Sequence, residues 1–358
     1  MFSTGEWNRR VQAALDWIAH SIRVTGARGS SHSFSIWTGW AAAYPETTGY
    51  LLETLYDYAT FFPERNLRGL AKSQADWLLT TQLPNGAFPA GKVDAPPRPS
   101  VFNSTQILIG LTRHCIEQPG TDIPRYQAAM QRTIDWLISI QEPDGAWRSA
   151  AYVNGFVPAY YTRAVWGVLA ANSLLRDENL DAAMHKALDY YSRLFLPNGA
   201  VRHWGFYPGK PAFTHTIAYT LEGFWESARL LGHPDIRDKI VCSADRLLCV
   251  WQKKGRLAGR FDENWRGDYS FRCATGHAQL SVFYDKLFSA TGQIKYKEAS
   301  EGMLAEIMKC QHLKAPSGFR GALPGSAPVW GKYLRFRYPN WATKFFLDAM
   351  FRRRPEPC

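Results

Sequence analysis

Apolar residues along this chain recur at the spacing of an α-helix, with no sustained alternation of the kind a half-buried strand requires. The helical stretches share a repeated phrase. Asp76-Trp77-Leu78-Leu79 runs into Gln82-Leu83-Pro84-Asn85-Gly86-Ala87-Phe88, and Asp135-Trp136-Leu137-Ile138 runs into Gln141-Glu142-Pro143-Asp144-Gly145-Ala146-Trp147. A third copy pairs Asp189-Tyr190-Tyr191 with Leu196-Pro197-Asn198-Gly199-Ala200. A degenerate fourth joins Asp245-Arg246-Leu247-Leu248 to Trp251 and Gly255, and a fifth ends at Gln311 and Ser317-Gly318-Phe319. An opening copy, Asp16-Trp17-Ile18-Ala19, lacks the glycine turn. The glycines set a unit of 54 to 63 residues.

Each phrase predicts a helix, stopped in the clearest copies by a Pro-Asn-Gly or Pro-Asp-Gly turn that tolerates positive φ. A loop rich in Gly, Pro, Arg and aromatic residues follows, and then a second, more apolar helix. These second helices open near Thr47, Asn103, Tyr161, Thr214, Thr275 and Pro339, beside Ser, Thr and Asn of the kind that cap helix starts. Six such pairs predict an all-α protein: one (α/α)6 toroid over residues 1–358, with the more apolar helices as the inner ring. The loops at the start of the inner helices then surround a common mouth, the default place for a site.

The phrase at Gln141 to Trp147, with its relative at Gln82 to Phe88, resembles the QW repeat of squalene-hopene cyclases and related toroids. That resemblance implies the fold; the Asp-x-Asp-Asp acid motif of the cyclases is missing, so terpene-cyclase-like chemistry is the least favoured reading. The segments from Trp37 to Tyr50, Thr214 to Gly223 and Tyr338 to Lys344 resemble toroid proteins of bacterial exopolysaccharide clusters, which implies a carbohydrate setting. The helix from 214 to 223 is similar, more distantly, to toroidal polysaccharide lyases and to the helical domain of glucuronyl C5-epimerases.

Composition adds that the protein is folded, with 46% of 358 residues apolar and 20% charged. No stretch reaches the roughly 18 uninterrupted apolar residues of a membrane span, and Met1 to Arg10 carry no apolar signal core, so a cytoplasmic location is expected. Cys115, Cys242, Cys249, Cys273, Cys310 and Cys358 form no Cys-x-x-Cys pair and are expected as free thiols. The 42 Lys and Arg against 31 Asp and Glu leave a net +11, which favours an anionic partner. The 14 Trp offer flat apolar faces of the kind on which sugar rings stack. Arg260, Arg266, Arg272, Lys332, Arg335 and Arg337 gather in the loops before the last two inner helices, without a nucleic-acid motif; a positive mouth wall is expected, not nucleic-acid binding.

His215, Tyr219 and Glu222 stand at i, i+4 and i+7, on one face of a helix with His215 at the mouth. Arg163 opens the third inner helix, where a cation opposes the helix dipole and asks for an anion: a loop carboxylate or a substrate carboxylate. Asn103, level with it, either caps its helix or donates to that carboxylate. Glu46 lies among Trp37, Trp40, Tyr44 and Tyr50, an aromatic enclosure able to raise its pKa toward that of a general acid. Tyr161, Arg272, His277 and Trp341 complete the expected mouth. Cys273 and His277 have the spacing of two metal ligands but no third, so no metal and no cofactor is expected.

The expectation is a carbohydrate-active enzyme acting on an acidic, uronate-containing glycan or its precursor by proton abstraction next to the carboxylate, as a lyase or C5-epimerase. His215 would be the base and Tyr219 the acid, or the reverse, with Arg163 and Asn103 holding the carboxylate. The alternatives are a glycoside hydrolase pairing Glu46 with Glu222 or Asp262, and a non-catalytic glycan-binding or assembly protein.

Overall fold

The computed structural model describes residues 3–120, 122–314, 316 and 318–354. Its twelve helices alternate between two rings. The outer helices are α1 (Thr4–Arg23), α3 (Leu67–Thr81), α5 (Ile123–Ser139), α7 (Glu178–Ser192), α9 (Pro234–Lys254) and α11 (Ile294–Met308). The inner helices are α2 (Pro45–Ala59), α4 (Val101–Glu117), α6 (Thr162–Leu175), α8 (Thr214–Leu231), α10 (Ala274–Thr291) and α12 (Asn340–Arg352). Each inner helix lies against the next, and α12 closes the circle on α2. The architecture is an (α/α)6 toroid. The inner helices are buried on nearly all sides, as in α8 from Thr214 through Ala228, whereas the outer helices bury one stripe.

The repeated phrase is a staple between hairpins. Gln82 donates from Nε2 to the Gly86 carbonyl at 3.0 Å and to the Ala129 carbonyl of α5 at 2.8 Å. Gln141 does the same to Gly145 at 3.0 Å and Ala183 of α7 at 3.1 Å. Gln311 repeats it to Gly321 at 3.0 Å and Arg10 of α1 at 2.9 Å, which ties the last hairpin to the first. The turn glycine of the fifth copy is therefore Gly321, not Gly318, because the loop after Gln311 is several residues longer than in the other copies. Gly321 sits at φ +91°, and a Cβ there would lie 1.9 Å from the Ala13 carbonyl oxygen of α1. Ser317 and Cys358 lie outside the described residues; the other five cysteines are free thiols.

The Ser, Thr and Asn residues at the inner-helix starts mostly do not cap. Among the inner helices only α4 is capped by a side chain, that of Ser100, which accepts from the Asn103 N–H at 3.2 Å. The hydroxyls instead sit inside the first turn and fasten the preceding loop: Thr48 accepts from Ser30 N–H at 2.9 Å, Ser104 from Phe88 at 2.8 Å and Thr343 from Leu323 at 3.1 Å. The loops also carry short two- and three-residue strands, such as Ser33–Ser35 paired with Arg337–Pro339, that the helical pattern does not announce. Such pairs join the loops of neighbouring hairpins around the mouth. Among the described residues no helix is long and apolar enough to cross a membrane.

The staple gives a direct expectation. Gln141→Leu removes the donor to two carbonyls and should lower stability by about 1–3 kcal/mol, whereas Asp135→Ala on the exposed side of α5 should change it by less than about 0.5 kcal/mol. Urea midpoints of the two variants check this.

Candidate active site

The first turns of the inner helices and the loops above them enclose a cavity of about 200 Å³. Its walls are Phe102, Tyr160, Phe206, Tyr333 and Trp341, and its polar atoms come from His32, Tyr44, Glu46, Asn103, His215 and Tyr219. No lysine or arginine lines it among the described residues, and Glu46 is its one carboxylate.

Glu46 occupies the first turn of α2 and is buried. Burial raises its pKa; the hydrogen bond from the Tyr44 hydroxyl and the charge of Arg163 offset that only in part, and the carboxyl is left at about 7. Because Tyr44 donates to Oε2, the carboxylic proton sits naturally on Oε1, free to be given away.

His215 sits in the first turn of α8, where α10 comes very close. A Cβ on Gly276 would lie 2.5 Å from the His215 backbone nitrogen, so only glycine permits this approach. One turn further along α10, Gln279 Oε1 meets His215 Nδ1 at 2.7 Å. An amide oxygen only accepts, so Nδ1 carries the proton and Nε2 keeps its lone pair. Burial pushes the imidazole pKa down to about 3, leaving a neutral ring. His32 is the second neutral imidazole: burial, then Arg337 and Lys92, lower it to about 4, and it stands between Tyr44 and Trp341 with ring centres 5.1 and 4.8 Å away.

Tyr219 lies a turn below His215, ring centres 4.4 Å apart, with a buried hydroxyl that has no hydrogen-bond partner among the described residues. Under it lies Arg163, its guanidinium 4.8 Å from the Tyr219 ring centre and 4.7 Å from that of Trp166. Arg163 is 1% exposed; it donates to Gln106 at 2.6 Å and ion-pairs with Glu222, which also takes Lys286 at 2.8 Å. Burial alone would raise the Glu222 carboxyl, but Lys286 and Arg163 override it and hold it at about 2. Below this layer a second chamber of about 450 Å³ opens toward the other end of the ring, lined by Glu53, Lys286, Lys344 and Asp348 among others.

Several expected site residues therefore stand elsewhere. Arg163 and Glu222 line the lower chamber and neutralise each other: a guanidinium this deeply buried needs a carboxylate inside the barrel. Neither the carboxylate clamp nor a second catalytic carboxylate is presented to the upper cavity. Asp262 accepts the N–H groups of Asn264 and Arg266 within its own turn, at 2.9 and 2.8 Å. Asn103 lines the cavity, but its amide donates to the Pro89 carbonyl at 3.1 Å. Tyr44 and Trp341 line it as well, the indole N–H donating to the Tyr333 hydroxyl at 2.9 Å. Tyr161 points away, accepting from Tyr152 N–H at 3.0 Å, and its neighbour Tyr160 takes the wall position. Trp37 projects from the rim, and Trp40 packs on Trp17 in a separate groove.

His277 is wholly buried; its Nδ1 donates to the Cys273 carbonyl at 3.0 Å, and Nε2 is 3.6 Å from Glu306, which Arg272 reaches at 3.2 Å. Among the described residues no group of three or more His, Cys, Asp and Glu stands close enough to hold a metal. His32, Gln279 and Tyr333 are the participants that helical spacing does not reveal. His32 and Tyr333 lie in mouth loops, and Gln279 matters only through the α8–α10 crossing.

No sequence-family model matches the protein. No curated protein matches it either. Solved structures do. An unsaturated glucuronyl hydrolase specific for heparin superposes with a TM-score of 0.75 at 16% identity over 98% of this chain and 97% of its own. The unsaturated glucuronyl hydrolase of Bacillus sp. GL1 gives 0.76 at 14% identity, over 97% and 96%. The cellobiose 2-epimerase of Bacillus thermoamylovorans B4167 gives 0.72 at 12%, over 97% and 100%. At these identities the likeness shows the (α/α)6 toroid fold. The likeness to squalene-cyclase toroids rests on the repeat phrase alone.

The raised pKa of Glu46 has a stability consequence. Between 4.5 and about 7 the folded protein holds a proton that the unfolded one has released, so stability falls as pH rises through that window. Glu46→Gln keeps the hydrogen bond from Tyr44 and removes the titration. The variant should match the parent near pH 4.5 and exceed it by up to about 3 kcal/mol near pH 8, read from urea midpoints at both values.

Proposed function

We propose that the protein is a carbohydrate-active enzyme that moves a proton at a carbon of a bound sugar, with His215 as base and Glu46 as acid. The observation that carries this reading is one cavity holding two groups poised for opposite duties. A neutral imidazole is locked with Nε2 as acceptor by Gln279, and a carboxylic acid is kept protonated to about pH 7. Trp341, Phe102 and Tyr160 supply apolar faces against which a pyranose can lie. The solved relatives of the same fold include enzymes named as hydrolases and epimerases of sugars, which supports the carbohydrate setting.

In this mechanism His215 Nε2 takes the proton from a carbon next to a carbonyl, and the electron pair moves onto the carbonyl oxygen. Glu46 delivers its Oε1 proton to that oxygen, giving a neutral enediol; return of a proton to the other face of the carbon inverts it. His32 can make that return by relay: the proton taken by His215 Nε2 passes through solvent to His32, which delivers it to that face. Glu46 takes back the hydroxyl proton as the carbonyl re-forms, so both imidazoles end neutral. Tyr219 offers a hydroxyl with no other partner to the sugar, and the Arg163 charge beneath its ring stabilises negative charge through the wall. A lining without lysine or arginine favours a neutral sugar at the reacting position over a uronate, since a carboxylate desolvated beside no cation costs several kcal/mol. Epimerisation is thereby preferred to β-elimination. Hydrolysis by paired carboxylates lacks its second carboxylate.

The test is incubation with reducing disaccharides and uronate-containing oligosaccharides in D2O, followed by NMR. Replacement of one carbon-bound hydrogen of the sugar by deuterium, without cleavage, is expected, falling with a midpoint near pH 7 as Glu46 ionises. His215→Asn should slow it by roughly 10²–10⁴-fold. Gln279→Leu should lower kcat more than it changes KM, because it frees the imidazole to adopt the other tautomer. Release of new reducing ends without exchange would overturn the reading.

A further inference from the structure

We propose that the mouth face of the toroid docks on an anionic lipid surface. The six loops that lead from outer to inner helices cover residues 24–44, 82–100, 140–161, 193–213, 255–273 and 309–339, all at one end of the ring. They contain seventeen Lys and Arg and six Asp and Glu, an excess of eleven, which equals the formal net charge of the entire protein. The remaining residues of the sequence carry 25 of each sign. The molecule is therefore a neutral body with one strongly positive end. Ion pairs cancel little of this excess: among the described residues Lys92, Arg148, Arg260 and Lys332 pair with carboxylates of the loops themselves, and the only carboxylate reaching in from outside is Glu306, to Arg272.

The same loops hold every exposed aromatic side chain among the described residues: Trp37 at 74%, Trp330 at 62%, Tyr152 at 59% and Tyr207 at 52%. Trp37 follows the exposed Ile36 at the tip of a short hairpin, and Val93 adds an exposed aliphatic from the second loop. At the opposite end the exposed large apolar residues are Ile116, Leu230 and Ile294, none of them aromatic. Indole and phenol rings with one wet edge and one apolar body suit the boundary between headgroups and acyl tails. Lysine and arginine between them are drawn to an anionic leaflet.

The distribution selects this occupant over a polymer. A glycan or nucleic-acid strand follows one groove and stacks on successive rings, whereas these rings come from four of the six loops, and Val93 adds an aliphatic side chain from a fifth. A flat anionic surface is the partner that meets all of them together. Docking would bring a lipid-borne sugar to the cavity, which deepens the proposed function. The docking itself is read on sugar-free vesicles, so its failure is distinguishable from failure of the chemistry.

The experiment is flotation of the full-length protein with vesicles of phosphatidylcholine alone and of phosphatidylcholine mixed with phosphatidylglycerol. Binding to the mixed vesicles only is expected. It should weaken at least roughly tenfold when salt shortens the Debye length from about 10 to about 3 Å. The double variants Trp37→Ala with Trp330→Ala, and Arg98→Glu with Arg335→Glu, should each weaken it by roughly tenfold. All four side chains are exposed, and near-ultraviolet circular dichroism verifies that both variants fold. Three outcomes overturn the proposal: no flotation with either vesicle, flotation indifferent to charge and to the variants, or retention only by a soluble acidic polymer such as alginate, which would give the face to a glycan.

Discussion

The site depends on a single buried ion pair. Arg163 lies inside the inner ring with almost no contact with water, and Glu222, itself braced by Lys286, makes that burial tolerable. The planar guanidinium is held between Trp166 and Tyr219, so the layer is both neutralised and rigid. Above it is a small cavity with aromatic walls and neutral imidazoles; below it is a larger chamber crowded with charges. Loss of Glu222 would leave an uncompensated cation pressed toward the upper cavity, where it would disturb Glu46 and His215 together.

Helix crossings set the chemistry as firmly as charges do. The α8–α10 approach at Gly276 brings Gln279 onto His215 and fixes which ring nitrogen is free. Hydroxyls in the first turns of the inner helices fasten the loops that roof the cavity. Local sequence thus does two things in the same turn: it starts a helix and anchors the segment that arrives before it.

The ring was legible in the sequence because its signals are local and repeated. The starts read near Thr47, Asn103, Tyr161, Thr214, Thr275 and Pro339 fall within two residues of the inner helices found at Pro45, Val101, Thr162, Thr214, Ala274 and Asn340. The presence of His215, Tyr219 and Glu46 around one opening was legible for the same reason, since each sits at a predictable level of its helix. The direction of Arg163 was not, because it depends on Glu222, fifty-nine positions away and on a different helix. His32 and Tyr333 escaped because loop residues carry no period, and Gly321 escaped because an insertion displaced it from the spacing of the other turns. The asymmetry of charge was present in the sequence throughout, but it becomes visible only when the loops are assigned to one end.

The sealed floor of the upper cavity also limits what can be accommodated. With Tyr219 and the Arg163 layer closing its base, this space is a blind pit and not a tunnel, so nothing can be threaded through the ring. A ligand can enter it by one end only, and must back out by the route it took. For the chemistry proposed above, each cycle would be separated from the next by complete withdrawal of the ligand.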